Sequence, residues 1–91
     1  MAVKVKLPTQ LRAAAGGDGE VHVEGDTVGA VLDALYAQHA DLRDRIADDD
    51  GSLRRFVNVY VDGDDIRFGE GLDTPVASGA EVQILPAVAG G

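Results

Sequence analysis

Two segments near the start of the chain alternate apolar and polar residues. Residues 3–7 alternate three apolar side chains with two lysines and are followed by a proline, and residues 21–24 alternate valines with polar residues. A period of two is typical of a half-buried strand, and proline ends such a strand. The intervening residues 9–12 predict a turn, and the alanines and glycines of residues 13–19 predict a flexible loop. Together these segments predict an opening antiparallel hairpin.

An apolar stripe with helical spacing comes next. Asp26 or Thr27 is the expected N-cap. Apolar side chains then recur at positions i, i+3, i+4, i+7 and i+8, as Val28, Val31, Leu32, Leu35 and Tyr36. This spacing predicts one amphipathic helix that ends near Ala40. Leu42 and Ile46 are four residues apart and predict a short further helix.

The second half of the chain is rich in strand-forming residues. Residues 56–61 have high β propensity, with Asn58 as the exception. Asp62-Gly63 is a turn signal, after which residues 64–68 are expected to return as a short strand. Residues 72–76 predict a short connection with a single helical turn. Residues 81–85 alternate again and predict the last strand.

The order of these elements, β-β-α-β-(β)-β, predicts the fold. A right-handed crossover after the hairpin brings a later strand beside the first strand and parallel to it. The helix stripe then packs on one face of a mixed sheet of four to five strands. This is an α+β arrangement of the β-grasp, ubiquitin-like kind. We expect one domain over residues 1–86 and a flexible tail over residues 87–91.

Composition narrows the classes of function. A net charge of -8 argues against nucleic-acid binding and could steer docking onto a basic partner surface. The chain has no cysteine, so disulfides, thiol nucleophiles and thiolate metal sites are excluded. No signal peptide or membrane span is recognisable, which predicts a cytoplasmic protein without membrane contact.

Residues with catalytic or metal-binding potential are few. His22 and His39 are the only histidines, and neither has companions at ligand spacing. Residues 48–51 superficially resemble a cation loop but lack the alternating ligands and the distal bidentate glutamate of a calcium site. We therefore expect an exposed loop there, no metal site, no permanently bound cofactor and no catalytic set belonging to the chain itself.

The last residues, Ala87, Val88, Ala89, Gly90 and Gly91, are unusual for the end of a domain. Two glycines add nothing to a fold, but they make a narrow, pliable arm that can enter a slot. Five extended residues reach about 16–18 Å. The hypothesis is that the domain presents the Gly91 carboxylate for chemistry. A frayed end is the alternative, and the Gly-Gly pair alone favours it.

Three apolar side chains are expected outside the core and near this tail. If Val82 and Ile84 face the core, Leu85 faces away, and Phe56 and Tyr60 face away by the same alternation. They would share the open face of the sheet and form a docking surface. Packing over the sheet edge is an equally weighted alternative. Leu7 is a fourth candidate for contact with a partner.

The chain as a whole resembles the ubiquitin-like sulfur carrier proteins of the ThiS/MoaD type. Its similarity is strongest to the actinobacterial carriers linked to cysteine biosynthesis. The most specific matching segments are residues 55–62, residues 65–68, and residues 84–91, which read Ile-Leu-Pro-Ala-Val-Ala-Gly-Gly.

The resemblance implies a protein-bound sulfur donor that is not itself an enzyme. An E1-like adenylating partner would use ATP and magnesium to convert the Gly91 carboxylate to an acyl-adenylate. Sulfide or a persulfide would then displace AMP and leave a thiocarboxylate. A pyridoxal-phosphate-dependent cysteine synthase would accept the sulfur, and a metalloprotease would release the product. Residues 87–90 would lie extended in partner channels.

Other functions remain open on the sequence. The same activated Gly91 would serve a small modifier conjugated to protein lysines. The chain would alternatively be the small subunit of a molybdopterin-synthase-type complex. The sulfur acceptor is also open, because the pathways to thiosugars, thiamine, molybdopterin and other natural products use similar carriers.

Overall fold

A five-stranded mixed sheet forms the framework of the computed structural model, which describes residues 2–50, 52–54 and 57–86. In the described chain the strands are β1 (Val3–Lys6), β2 (Glu20–Val23), β3 (Val57–Val61), β4 (Asp64–Asp65) and β5 (Glu81–Pro86). Their spatial order is β2-β1-β5-β3-β4. The last strand of the sequence is therefore the central strand of the sheet.

The register places the apolar side chains of neighbouring strands on one face. β1 pairs antiparallel with β2, with Val3 opposite Val23 and Val5 opposite Val21. β5 runs parallel to β1 and antiparallel to β3. The predicted opening hairpin and the predicted parallel pairing of a later strand with the first are both confirmed.

Helices cover the apolar face of the sheet. They are α1 (Thr9–Arg12), α2 (Val28–Gln38) and α3 (Ala40–Ile46). The predicted cap is confirmed for Thr27, whose hydroxyl oxygen accepts a hydrogen bond of 3.1 Å from the Ala30 N–H. α2 ends two residues before the predicted Ala40, and the short further helix is confirmed as α3.

The core lies between the helices and the sheet. On the sheet side its fully buried residues include Val3, Val5, Val59, Val82 and Ile84, and on the helix side they include Val28, Val31, Leu35, Leu42 and Ile46. The buried helical residues follow the predicted stripe, with Tyr36 half-buried at its edge. The α+β class, the β-grasp arrangement and the five-stranded mixed sheet agree with the prediction.

Three segments differ from the sequence-based expectation. Residues 9–12, predicted as a turn, form the short helix α1. In the predicted loop over residues 13–19, Ala13–Ala15 form a 3-10 turn, and the small Ala15 side chain is fully buried in the core. The predicted return strand over residues 64–68 stops after Asp65. There the carboxylate accepts the Arg67 N–H at 2.9 Å and starts a 3-10 turn, Ile66–Phe68.

The remaining connections follow the sequence. Asp62 and Gly63 both have positive φ, 50° and 92°, as the predicted tight hairpin turn requires. The expected single helical turn is a 3-10 turn, Gly71–Asp73. None of the helices in the described ranges is long and apolar enough to cross a membrane.

Candidate functional site

β5 ends at Pro86, directly before residues 87–91, which we predict to be the tail. Pro86 lies opposite Val57 at the start of β3, and Leu85 lies opposite Asn58. β5 pairs with β1 through Gln83 and with β3 as far as Pro86, so its last residues are held in the sheet by β3. Residues 87–91, including the predicted reactive Gly91 and the channel residue Gly90, lie outside the described residues, so their roles stay predictions.

Leu85 and Tyr60 lie on the open face of the sheet, as predicted. Both are half-buried, and neither belongs to the core cluster. Tyr60 pairs with Gln83 and Leu85 pairs with Asn58, so Tyr60 and Leu85 are diagonal neighbours within reach of one another. Phe56, the third member of the predicted patch, lies outside the described residues.

Leu7, the fourth residue predicted to contact a partner, lies in the core. Its side chain is 3 % exposed and belongs to the hydrophobic core. The reason is the strand parity itself, because Leu7 keeps the inward direction of Val3 and Val5. The neighbouring Pro8 is more exposed and reaches the surface near the tail base.

Two grooves flank the end of β5. The open-face groove has a volume of about 610 Å³ and is lined by Lys6, Leu7, Pro8, Thr9, Gln10, Arg12, Gly19, Glu20, Gln83, Ile84 and Leu85. The tail-base groove is smaller, about 140 Å³, and is lined by Pro8, Gln10, Leu11, Arg45, Arg54, Val57, Ile84 and Leu85. The grooves share Pro8, Gln10, Ile84 and Leu85, so they form a continuous surface around the tail base.

The sequence did not single out the arginines of this surface. Arg45 lies on the exposed side of α3, and Arg54 lies in the segment before β3. Each looks like an ordinary solvated residue in the sequence. Only the packing of α3 beside the ends of β3 and β5 brings the two into one groove.

Asn58 contributes an unsatisfied polar atom to the same region. Its side-chain oxygen is buried, and no hydrogen-bond donor of the described residues reaches it. An unpaired buried acceptor typically costs about 1–3 kcal/mol. The atom therefore marks a place beside Leu85 where a further donor would be stabilising.

The residues considered for metal binding lie elsewhere. His22 is exposed, and His39 caps α2. Asp50 accepts hydrogen bonds from the Ser52 hydroxyl at 2.6 Å and from the Ser52 N–H at 3.0 Å, and these bonds lower the pKa of its carboxyl. In the part of the chain described, no three His, Asp or Glu side chains are grouped as a metal ion would require.

Comparison with known proteins identifies the family. The pattern of the ThiS family matches residues 5–91. The chain is 48% identical over 93 residues to the sulfur carrier protein CysO of Mycobacterium tuberculosis, and the match covers 100% of both chains.

Solved structures agree in fold. A chain in the crystal structure of the Amycolatopsis orientalis BexX/CysO complex is 43% identical with a TM-score of 0.91, covering 99% of this chain and 100% of that one. Crystalline SAMP1 from Haloferax volcanii is 35% identical with a TM-score of 0.85, covering 100% of both. The β-grasp architecture, the central last strand and the match through residue 91 lead to one conclusion: this chain belongs to the ThiS family.

Proposed function

We propose that this protein is a sulfur carrier that acts through the carboxylate of Gly91. The observation that carries the proposal is the 48% identity to a mycobacterial sulfur carrier over the full length of both chains. The family match extends to residue 91 and so includes the Gly-Gly pair. The central position of β5 supports it too, because it gives the tail a fixed base.

The proposed chemistry explains why a carrier needs such a tail. A carboxylate is a poor electrophile, so an adenylating partner uses ATP and magnesium to form the Gly91 acyl-adenylate and release pyrophosphate. Hydrosulfide then attacks the carbonyl carbon, AMP leaves, and a thiocarboxylate remains. The covalent carrier splits one difficult sulfur transfer into two easier steps. The catalytic groups belong to the partners, and the chain is their substrate and donor.

The partners follow from the same proposal. An E1-like enzyme activates Gly91 in the cytoplasm, where ATP is available. A pyridoxal-phosphate-dependent synthase takes the sulfur for cysteine, and a metalloprotease releases the product. That a related chain was crystallised in the BexX/CysO complex supports a partner for this fold.

A variant of the penultimate residue tests the tail hypothesis. Gly90→Ala adds a Cβ where a narrow channel leaves no room, so we expect kcat/KM for thiocarboxylate formation to fall at least about tenfold, or 1.4 kcal/mol. The thermal midpoint should not change. Ala89→Gly is the matched control, because it narrows the tail and should retain activity. Wild-type turnover by Gly90→Ala at limiting carrier would contradict the channel.

A protein modifier is the second candidate. The likeness to SAMP1, a small archaeal modifier protein by name, favours it. In that case the activated Gly91 would form isopeptide bonds with lysines. Mass spectrometry of tryptic digests from the native cell separates the two functions. A carrier leaves no lysine adducts. A modifier leaves lysines that carry residues 68–91, because Arg67 is the last tryptic site of the chain.

A further inference from the structure

The surface around the tail base has the opposite charge to the chain as a whole. The sequence has 16 acidic and 8 basic residues. The charged residues that line the two grooves are four basic ones and one acidic one, namely Lys6, Arg12, Arg45, Arg54 and Glu20. The tail-base groove itself has Arg45 and Arg54 in its lining and no carboxylate. Half of the basic residues are thus gathered where the tail begins. Lys6 is paired with Glu81 at 3.2 Å, so the available positive charge there comes from the three arginines.

The arginines of this surface keep their charge available. Arg12, Arg45 and Arg54 are exposed, and none of them forms an ion pair with a carboxylate in the described ranges. Arg54 donates from Nη1 to the backbone oxygen of Asp44 at 2.9 Å, and Arg12 donates from Nε to that of Leu7 at 3.2 Å. These bonds hold two guanidinium groups in place and leave further N–H donors unused.

An apolar floor lies between these charges. Leu11, Val57, Ile84 and Leu85 line the tail-base groove together with Arg45 and Arg54. Its volume of about 140 Å³ suits a single large apolar side chain. A groove lined by apolar side chains and by two exposed arginines is complementary to an apolar residue flanked by carboxylates.

The opposite end of the sheet has the reverse character. A cavity of about 530 Å³ beside the β3–β4 turn is lined by Asp62, Asp64 and Asp65 and by no lysine or arginine of the described chain. The nearby Arg67 is paired with Asp65 at 2.9 Å. The molecule therefore carries positive charge at the tail end and negative charge at the far end, which orients it in the field of a charged partner.

We infer that the tail-base groove docks an acidic segment of the partner that receives the tail, with one apolar side chain seated between Arg45 and Arg54. This inference rests on the proposed function, because it assumes that a partner takes up the tail. It differs from the expectation that the net charge alone suggests, which is a basic partner surface. An acidic surface at the partner's tail-binding channel would attract the arginines of the tail-base groove and repel the aspartates at the β3–β4 turn.

The experiment uses the full chain with the adenylating enzyme of the same organism, ATP and sulfide. Arg45→Glu/Arg54→Glu should raise KM for the carrier roughly tenfold at low salt, with kcat at saturating carrier changed less than about twofold. Added salt should shrink the difference, because exposed charges are screened over about 8 Å at physiological ionic strength. Arg45→Gln/Arg54→Gln should give an intermediate KM.

Arg43→Glu/Arg67→Glu is the matched control. This variant changes the net charge by the same amount as Arg45→Glu/Arg54→Glu. Arg43 lies on the same helix as Arg45, but neither Arg43 nor Arg67 lines the groove. Equal KM for the wild type and Arg45→Glu/Arg54→Glu, or an equal rise in the control, would overturn the docking inference. A lower KM in Arg45→Glu/Arg54→Glu would also overturn it and indicate a basic partner. Thermal unfolding of each variant checks that it is folded.

A binding measurement separates this inference from the proposed function. Calorimetric titration of the enzyme with each variant, without sulfide, measures docking alone. If the Arg45→Glu/Arg54→Glu variant binds more weakly but the wild type forms no thiocarboxylate, the docking inference is supported and the proposed function is contradicted. If the wild type forms the thiocarboxylate and every variant binds as the wild type does, the proposed function is supported and the docking inference is contradicted.

Discussion

Ile84 connects the stability of the domain to the position of its tail. It is a fully buried residue of β5, two positions before Pro86, and it also lines both grooves at the tail base. Its backbone lies opposite Val59 in the β3–β5 pairing. Shortening this side chain should therefore loosen the core and reshape the surface from which the tail departs.

The magnitude follows from the atoms removed. Ile84→Val removes one buried carbon and should cost about 1 kcal/mol. Ile84→Ala removes three carbons, worth about 2.4 kcal/mol by transfer, and the remaining cavity brings the expected cost to about 3–4 kcal/mol. A domain of 91 residues typically has a free energy of unfolding of roughly 5–14 kcal/mol, so Ile84→Ala should still fold under mild conditions.

Urea unfolding measures the stability change. With an m value of about 1 kcal/mol/M, the midpoint should fall by about 1 M for Ile84→Val and about 3 M for Ile84→Ala. The same variants should raise KM for the adenylating partner in that order. Val82→Ala is the control, because Val82 is equally buried on the same strand but pairs with Val61 at the far end and lines neither groove.

Two results would refute this reasoning. A loss below about 1 kcal/mol for Ile84→Ala would mean that the side chain is not enclosed as the structure has it. An equal rise in KM for Val82→Ala and Ile84→Ala would show that lost stability, and not the shape of the tail base, weakens partner binding.

Two further predictions concern α2. Thr27→Ala removes the hydroxyl that caps Ala30 and should cost about 1 kcal/mol in thermal unfolding, whereas Thr27→Ser should cost less; equal losses would argue against the cap. Burial, together with the negative charge of Asp33, raises the pKa of Tyr36 to about 12. The contribution of the neutral Tyr36 to the free energy of unfolding should therefore be fully present below pH 10 and be lost as the pH rises from 10 to 12. Because Tyr36 is only half-buried, we expect screening to reduce the loss to roughly 1 kcal/mol. Tyrosinate absorbance of a Tyr60→Phe variant isolates this titration, and a pKa near 10 would contradict the burial.

The sequence predicted the parts of the fold that local periodicity determines. The helix stripe, the Thr27 cap and the inward valines of β1 and β2 follow from periods of 3.6 and 2. The secondary structure around Ile66 does not follow from periodicity, because a strand and a 3-10 turn place one isoleucine in the core equally well. The Asp65 carboxylate determines the outcome, because it accepts a hydrogen bond from the Arg67 N–H and so ends the strand.

In the candidate site, too, only the residues placed by local periodicity were predictable from the sequence. Leu85 and Tyr60 were predictable because alternation fixes the face on which a strand residue lies. Arg45 and Arg54 were not, because their proximity depends on how α3 packs beside the ends of β3 and β5. Leu7 follows the same rule, since its alternation with Val5 places it in the core.

The intact mass of the chain tests the central claim most directly. The protein is incubated with ATP, magnesium, sulfide and an adenylating enzyme from the same cell, and is compared with a chain that lacks Gly91. The account predicts a mass gain equal to the exchange of one oxygen for sulfur, present only when Gly91 is there. No gain, with an enzyme shown to be active on another carrier, would contradict a sulfur carrier acting through Gly91.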